Sequence, residues 1–349
     1  RRQDFLVNFN DPYFRDTQAS LGVDAFNTTR KYTDFDEKRL GFGVSTGYPL
    51  KNMTFPFLGR PKKDLNLGSD ELASNAPMTL WDYMRGGMSY ELSREKISGV
   101  DRGASQIIKD EEGSSITSSM TPNLTYDSRD HFFNPTEGSK SGFSVKFAGL
   151  GGDNRFIKSD LSARWHYPLL KDPNWGGAYV LALGGSLGYG VGFAERNGNS
   201  DLPLFERYFL GGINSVRGFS ERSLGPRAPD VCVKRGDESA PHLSPNPRCP
   251  REEGYTKVPG DVIGGDTAAV FNAELMFPIA EQYGLRGVAF FDMGNAFSNG
   301  FSFADLRRSV GVGGRWMSPF GPLRVELGFP LNKQPRDDTS VIGFSIGSQ

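Results

Sequence analysis

Val270-Phe271-Asn272-Ala273-Glu274-Leu275-Met276-Phe277 reads as a β-strand with two unlike faces. Phe271, Ala273, Leu275 and Phe277 fall on one side, and Asn272 and Glu274 on the other, because successive strand side chains point to opposite faces. The same alternation runs through the chain. Leu323, Val325, Leu327 and Phe329 oppose Arg324 and Glu326. Phe143, Val145 and Phe147 oppose Ser144 and Lys146; Leu161, Ala163, Trp165 and Tyr167 oppose Ser162, Arg164 and His166; Phe5, Val7 and Phe9 oppose Asp4 and Asn8. A soluble sandwich also alternates, but its strands are usually shorter and its polar face meets bulk water. Here the apolar face carries aromatics toward the strand ends, as the girdles of a membrane barrel do. The fold class expected is all-β, a transmembrane antiparallel β-barrel. About 13 strands are expected, over 3–10, 18–28, 38–49, 80–98, 115–131, 140–150, 156–169, 178–195, 267–278, 285–297, 305–317, 322–331 and 339–349.

Composition agrees with this reading. The hydrophobic share is only 37%, with 27 Phe, 12 Tyr and 44 Gly in 349 residues. No apolar run is long enough for a membrane helix. A barrel strand needs about 10 residues and shows lipid an apolar side chain only at every second one, so the average stays low. A net charge of -1 gives no electrostatic case for nucleic acid. Turn signals alternate between short ones, such as Asn134-Pro135-Thr136-Glu137-Gly138 and Ser318-Pro319-Phe320-Gly321-Pro322, and long ones, such as 101–115 and 196–265. That is the layout of a membrane barrel. The stretch 51–79 breaks the rule on the short side: it is a tolerated insertion, or else a docking element for a partner in the periplasm. Cys232 and Cys249 share one long polar loop in an otherwise cysteine-free chain, which favours a disulfide and an oxidising compartment.

The longest connection holds Gly211-Gly212-Ile213-Asn214-Ser215-Val216-Arg217-Gly218-Phe219, one arginine among glycines and apolar residues. Further on comes Ala289-Phe290-Phe291-Asp292-Met293-Gly294, where Phe290 and Asp292 share a strand face. Arginine offers a planar fork for a carboxylate and a face for an aromatic ring. A loop folded back into the barrel and pinned there would use this complementarity. A solvated Arg217, with Asp292 and Glu274 merely lining a wet lumen, is the plainer alternative on these residues alone. Gly41, Gly43 and Gly47 share a face and suggest either close approach of something inside or plain strand curvature. No metal-ligand cluster, phosphate loop or nucleophile motif is present, and His131, His166 and His242 are scattered. Carboxylates such as Glu326 are expected to set lumen polarity. No enzyme activity, cofactor or metal is expected.

Taken in order, Val216-Arg217-Gly218-Phe219, Phe290-Phe291-Asp292-Met293-Gly294 and Trp316-Met317-Ser318-Pro319-Phe320-Gly321-Pro322-Leu323 give the whole chain, 1–349, a specific resemblance. It resembles the C-terminal barrel of the BamA family, the central subunit of the β-barrel assembly machinery in Gram-negative outer membranes. The turn Asn10-Asp11-Pro12-Tyr13-Phe14 resembles the one after the fourth strand of that family's 16-stranded barrel. The resemblance therefore implies that the strands expected here are the remainder of sixteen, without the first three and without the preceding POTRA domains. It also implies a native C-terminus about one residue longer, ending in an aromatic.

Several expectations follow from the resemblance. The 196–265 loop is external and folds into the lumen. Its Val216, Arg217, Gly218 and Phe219 lock against Glu274, Phe290 and Asp292. The final strand, with Ile342, Gly343, Phe344, Ser345, Ile346 and Gly347, forms one side of a lateral gate. The function implied is an insertase that folds and inserts outer-membrane β-barrel proteins by β-augmentation without nucleotide. A polypeptide translocation pore of the two-partner-secretion type shares the loop motif and is the alternative; a passive porin would not need the buried arginine. Implied partners are unfolded outer-membrane protein clients, accessory assembly lipoproteins and outer-membrane lipid, with no nucleic acid.

Overall fold

The computed structural model describes residues 2–32, 35–52, 79–101, 104–172, 177–193, 202–234, 255–258, 260–298, 300–319 and 321–347. Eight strands come first: β1 (Arg2–Asp11), β2 (Ser20–Lys31), β3 (Asp36–Pro49), β4 (Met84–Ser98), β5 (Gly113–Asp127), β6 (Gly138–Gly152), β7 (Phe156–Asp172) and β8 (Gly177–Gly192). Short pieces β9 (Gly218–Phe219), β10 (Val231–Lys234) and β11 (Tyr255–Val258) lie in the long connection that follows. Then come β12 (Thr267–Ala280), β13 (Leu285–Phe297), β14 (Arg307–Ser318), β15 (Gly321–Pro330), β16 (Thr339–Ser340) and β17 (Ile342–Ile346).

Thirteen of these make one sheet in the order β1-β2-β3-β4-β5-β6-β7-β8-β12-β13-β14-β15-β17. Neighbouring strands in it run antiparallel throughout, as hairpin connections allow. Among the described residues β1 and β17 do not pair, so the sheet is not closed. Among the described residues no helix is long and apolar enough to cross a membrane. The architecture is that of an antiparallel transmembrane barrel wall, as expected.

The outer face is apolar and exposed at alternate positions: Leu40, Phe42 and Val44 on β3, Leu161 and Trp165 on β7, Val325, Leu327 and Phe329 on β15. The inner face buries polar groups, among them Glu95, Thr117, Glu274, Asp292 and Glu326. A soluble protein would invert this arrangement; a barrel in lipid requires it. The concave face wraps around the long connection. Its Arg222 guanidinium lies 3.6 Å from the centroid of Phe209 and 5.3 Å from that of Tyr32, beyond the end of β2. Its Gly218 pairs with Ser340, just before β17.

Three details differ from the expected strands. The segment 80–98 becomes strand only at Met84, after a single 3-10 turn over Leu80–Tyr83 whose Thr79 and Asp82 form a capping box. The segment 115–131 ends at Asp127, because the Asp130 carboxylate accepts from the backbone N–H groups of Thr136 and Glu137 and closes a turn. The segment 339–349 is broken at Val341: Thr339 and Ser340 leave the sheet and pair with the long loop. Connections at the long-loop end are not all long, since only residues 153–155 join β6 to β7. Gly41 and Gly43 lie under Phe26 and the Asp24 carboxylate of β2, so neighbouring side chains fill the space they leave. The 51–79 stretch lies almost wholly outside the described residues.

Candidate functional site: a loop arginine clamped to the inner wall

Gly211 and Gly212 carry φ of +103° and +94°, a left-handed conformation that favours glycine. They turn the loop so that Leu210 pairs with Leu224 and Gly212 donates to the Phe219 carbonyl. The result is a tight hairpin with Val216-Arg217-Gly218-Phe219 on its returning limb. Val216 and Phe219 are fully buried, in a cluster with Leu210, Leu224, Ala268, Val270 and Ala296. These apolar residues seat the hairpin on β12 and β13 and leave Arg217 facing the polar wall.

The contacts of Arg217 are dense. Its backbone N–H donates to Asp292 Oδ2 at 3.0 Å, Nε to the same oxygen at 2.6 Å, and Nη2 to Oδ1 at 2.6 Å. This is a bidentate fork reinforced by the main chain. Nη1 donates to Glu274 Oε1 at 2.8 Å and to Glu326 Oε2 at 2.9 Å. The guanidinium carbon sits 3.5 Å from the centroid of the Phe290 ring, a cation–π geometry. Residues Val216, Arg217, Gly218 and Phe219 are thus brought together with Glu274, Phe290 and Asp292. Burial by itself would lower the Arg217 pKa, but the hydrogen bonds to Asp292 and the charge of Glu274 outweigh it, so the pKa is raised and the cation is held.

The wall adds members that the sequence pattern did not single out. Arg315 on β14 donates from Nη2 to Glu274 Oε1 at 2.7 Å and to Glu326 Oε1 at 2.9 Å. Arg324 donates to Glu326 Oε2 at 3.0 Å and to the Ile213 carbonyl at 3.1 Å, so it holds both wall and loop. Arg164 on β7 contacts Glu274. Asn272 donates to the Ser215 carbonyl at 2.9 Å and to Asp292 Oδ1 at 2.8 Å. Glu326 therefore does more than set polarity: it bridges Arg217, Arg315 and Arg324. The available signal was its place, like that of Glu274, on an inner face, but pairing across strands could not be read from spacing alone.

Absence of side chains matters equally. A Cβ on Gly328 would lie 2.5 Å from the Gly218 nitrogen and 2.9 Å from the Arg217 carbonyl carbon. Loop backbone and wall backbone touch there, and only glycine at 328 permits it. Gly218 has φ of +86°, and a Cβ on Gly294 would lie 3.0 Å from Val216 Cγ2.

The loop continues from the clamp to the final strand. Thr339 pairs with Phe219 and Ser340 with Gly218, and the Ser220 N–H donates to the Asp338 carbonyl at 2.9 Å. Arg336 donates to Asp230 at 2.6 Å, and Arg227 to the Arg336 carbonyl at 2.6 Å. Past Val341, β17 pairs with β15 over five residues, Leu323↔Ile346 through Leu327↔Ile342, whereas β14 and β15 pair over ten. Ile342, Phe344 and Ile346 are exposed on the outer face. Gly343 lies on the inner face against Ile213 of the loop, next to Ser345 two residues on; Gly347, past the ladder, has φ of +109°. Cys232 is disulfide-bonded; Cys249 lies outside the described residues.

A second anchor holds the start of the loop. Glu206 is buried, and Lys146 on β6 and Lys158 on β7 donate to its carboxylate at 2.6 and 3.4 Å. Burial would raise its pKa, but the two lysine charges more than offset this and hold it below the usual carboxylate value of 4.5. A depressed folded pKa contributes stability above the unfolded value, and that stability is lost as pH falls through the folded one. Amide exchange at Leu204–Tyr208, corrected for intrinsic rates, should therefore accelerate as pH falls below the usual carboxylate range. Glu206→Gln should flatten that dependence. An unchanged pH profile in the variant removes Glu206 as the anchor.

Comparison with known proteins places this geometry. The Omp85 superfamily domain matches residues 1–349. The chain is 30% identical over 99% of its length to the outer membrane protein assembly factor BamA of Nitratidesulfovibrio vulgaris, and spans 36% of that protein. Its fold matches the crystal structure of Haemophilus ducreyi BamA lacking POTRA domains 1–3, with a TM-score of 0.71 at 20% identity, over 99% of this chain and 62% of that one. CdiB from Acinetobacter baumannii shares the fold with a TM-score of 0.53 at 13% identity, over 99% of this chain and 50% of that one. A barrel wall with a loop hairpin clamped inside it, matched from end to end by one family model, identifies the chain as a member of the Omp85 superfamily, with a barrel similar to that of BamA.

Proposed function

We propose that this chain is the membrane barrel of an outer-membrane protein insertase in a Gram-negative bacterium. Its clients are unfolded β-barrel proteins, and its final strand is where they are received. The observation that carries this reading is the weak attachment of β17. It is held to β15 by five residue pairs, against ten between β14 and β15. A strand held so lightly yields its main-chain donors and acceptors to an incoming strand. Strand addition supplies hydrogen bonds, and alternate side chains supply selectivity. Burial of the client's apolar face in lipid provides the driving force, so no nucleotide is required. The relatives named as assembly factors support the same reading. Accessory lipoproteins and bilayer lipid are the further partners of such a barrel.

The alternative of a translocation pore asks for a lumen open to a passing chain. Both kinds of barrel share the loop motif, so the reading rests on the short ladder of β17 instead, five pairs against the ten of its neighbour.

The test is site-specific cross-linking to a client. With cysteine at Ser345 and a cysteine walked along the terminal strand of a client barrel, disulfides should form at alternate client positions, as a ladder requires. Cysteine at Ser186, an inner-face position in the middle of the sheet, should give none. Equal yields at Ser345 and Ser186, or no periodicity, count against templating by β17.

A further inference from the structure

The outer wall is not uniform. Where β7, β8, β12 and β13 meet the connection between β13 and β14, it is indented by an apolar cavity of about 340 Å³. That volume is within the range of small-molecule sites, roughly 300–1,000 Å³. Its floor is two small residues that the register brings side by side, Ala163 on β7 and Gly185 on β8. Leu161, Leu187 and Phe271 form the walls. The roof is the connection itself. Phe301 packs edge-on against Phe297 and Phe303, with centroids 5.3 and 4.5 Å apart, and Leu306 pins the connection to the wall. Phe303 is 73% exposed, which a segment designed for water would avoid.

A charge stands at the same end. Arg308 is the cross-strand partner of Met293, which lines the cavity, and shares the outward register with Val310 and Val312. It is exposed, and no ion pair to it is formed among the described residues. An outward arginine at the end of an apolar band, beside an indentation open to lipid, matches a molecule with an acidic head and a hydrocarbon tail. A soluble apolar ligand would not use the arginine. A protein helix is too wide for a slot floored by one strand's glycine.

We propose that this indentation is a lipid-binding site: an acyl chain lies over Gly185 and Ala163 beneath Phe301, and the phosphate of the same lipid is held by Arg308. The site goes beyond insertion of client proteins. It lies at β7–β13, away from β17, and gives the protein an annular lipid that stays with it rather than exchanging freely. A bound chain would fill the contacts that the small residues leave unmade.

The experiment is native mass spectrometry of the protein reconstituted in vesicles of equal parts dioleoyl phosphatidylglycerol and dioleoyl phosphatidylcholine, then released from detergent micelles. The wild type should retain about one lipid, with phosphatidylglycerol preferred. Arg308→Gln should reduce that preference about fivefold, the effect of one basic residue at an anionic surface. Ala163→Leu, which fills the slot without touching the inner wall, should abolish retention of both lipids. Retention unchanged in Ala163→Leu, or equal retention of the two lipids by the wild type, overturns the proposal. Client assembly measured on the same samples separates this outcome from the insertase reading: Ala163→Leu should leave assembly intact.

Discussion

Arg217→Ala should release the loop hairpin from the inner wall and lower the stability of the folded barrel by roughly 3–5 kcal/mol, the cost of breaking a buried charge network from one side. The expected size follows from what is left behind. Asp292 is fully buried, and Glu274 and Glu326 are nearly so; all three lose a donor at once. Arg315 and Arg324 still serve Glu274 and Glu326, but Asp292 keeps only the Asn272 amide among the donors described, together with the residue-217 backbone N–H if the hairpin stays in place. Arg227→Ala is the contrast. Arg227 donates to two carbonyls and stands 3.7 Å from an exposed Asp338, so its loss should cost about 1 kcal/mol or less. Urea unfolding in detergent, followed by the mobility shift of folded and heated barrels on gels, reads both. Lys at 217 should not rescue, because a point charge cannot form the fork. The swap of Arg217→Glu with Asp292→Arg should recover only part of the loss, since Glu274 and Glu326 would then face a carboxylate. Equal and mild effects at positions 217 and 227 would falsify the clamp.

Gly328→Val should separate the loop from the wall while leaving every charged residue in place. The new side chain would meet the Gly218 nitrogen and the Arg217 carbonyl carbon, which are backbone atoms and cannot rotate away. Overpacking of this kind costs roughly 1–3 kcal/mol. Because Gly218 also pairs with Ser340, the displaced loop should carry the start of the final strand with it. Two readouts distinguish this from a general loss of fold. Exchange of the Gly218–Ser220 amides should rise steeply, and that of β7 and β8 should not. Disulfide trapping between cysteines placed at Phe219 and Thr339 should fall. If trapping persists at the wild-type rate, the loop and the final strand are not coupled through this contact.

The alternation in Val270–Phe277 and Leu323–Phe329 was enough to determine the kind of fold. A strand has a period of two, so apolar and polar residues at alternate positions place one face in lipid and the other inside, whatever lies next to it. The register β12 to β13 then follows from a short hairpin, and the pairing of Arg217 with Phe290 and Asp292 came from the family resemblance, supported by the shared face of two residues two apart on one strand. The break at Val341 was not legible. The residues 339–349 alternate as well as any strand, and nothing in them marks where pairing partners change. Only the folded loop offers Thr339 and Ser340 a competing edge, at Gly218 and Phe219. Nor could spacing reveal that Glu326, Arg315 and Arg324 complete the clamp. They come from strands that adjoin or face Asp292 only once the sheet has curled around the loop. The sequence alone thus determined the strands and their faces, and its resemblance to a known family supplied the motif that docks. The tertiary structure alone decided which inner charges converge, because convergence across a barrel depends on curvature and stagger, and these are properties of the assembled sheet rather than of any strand in it.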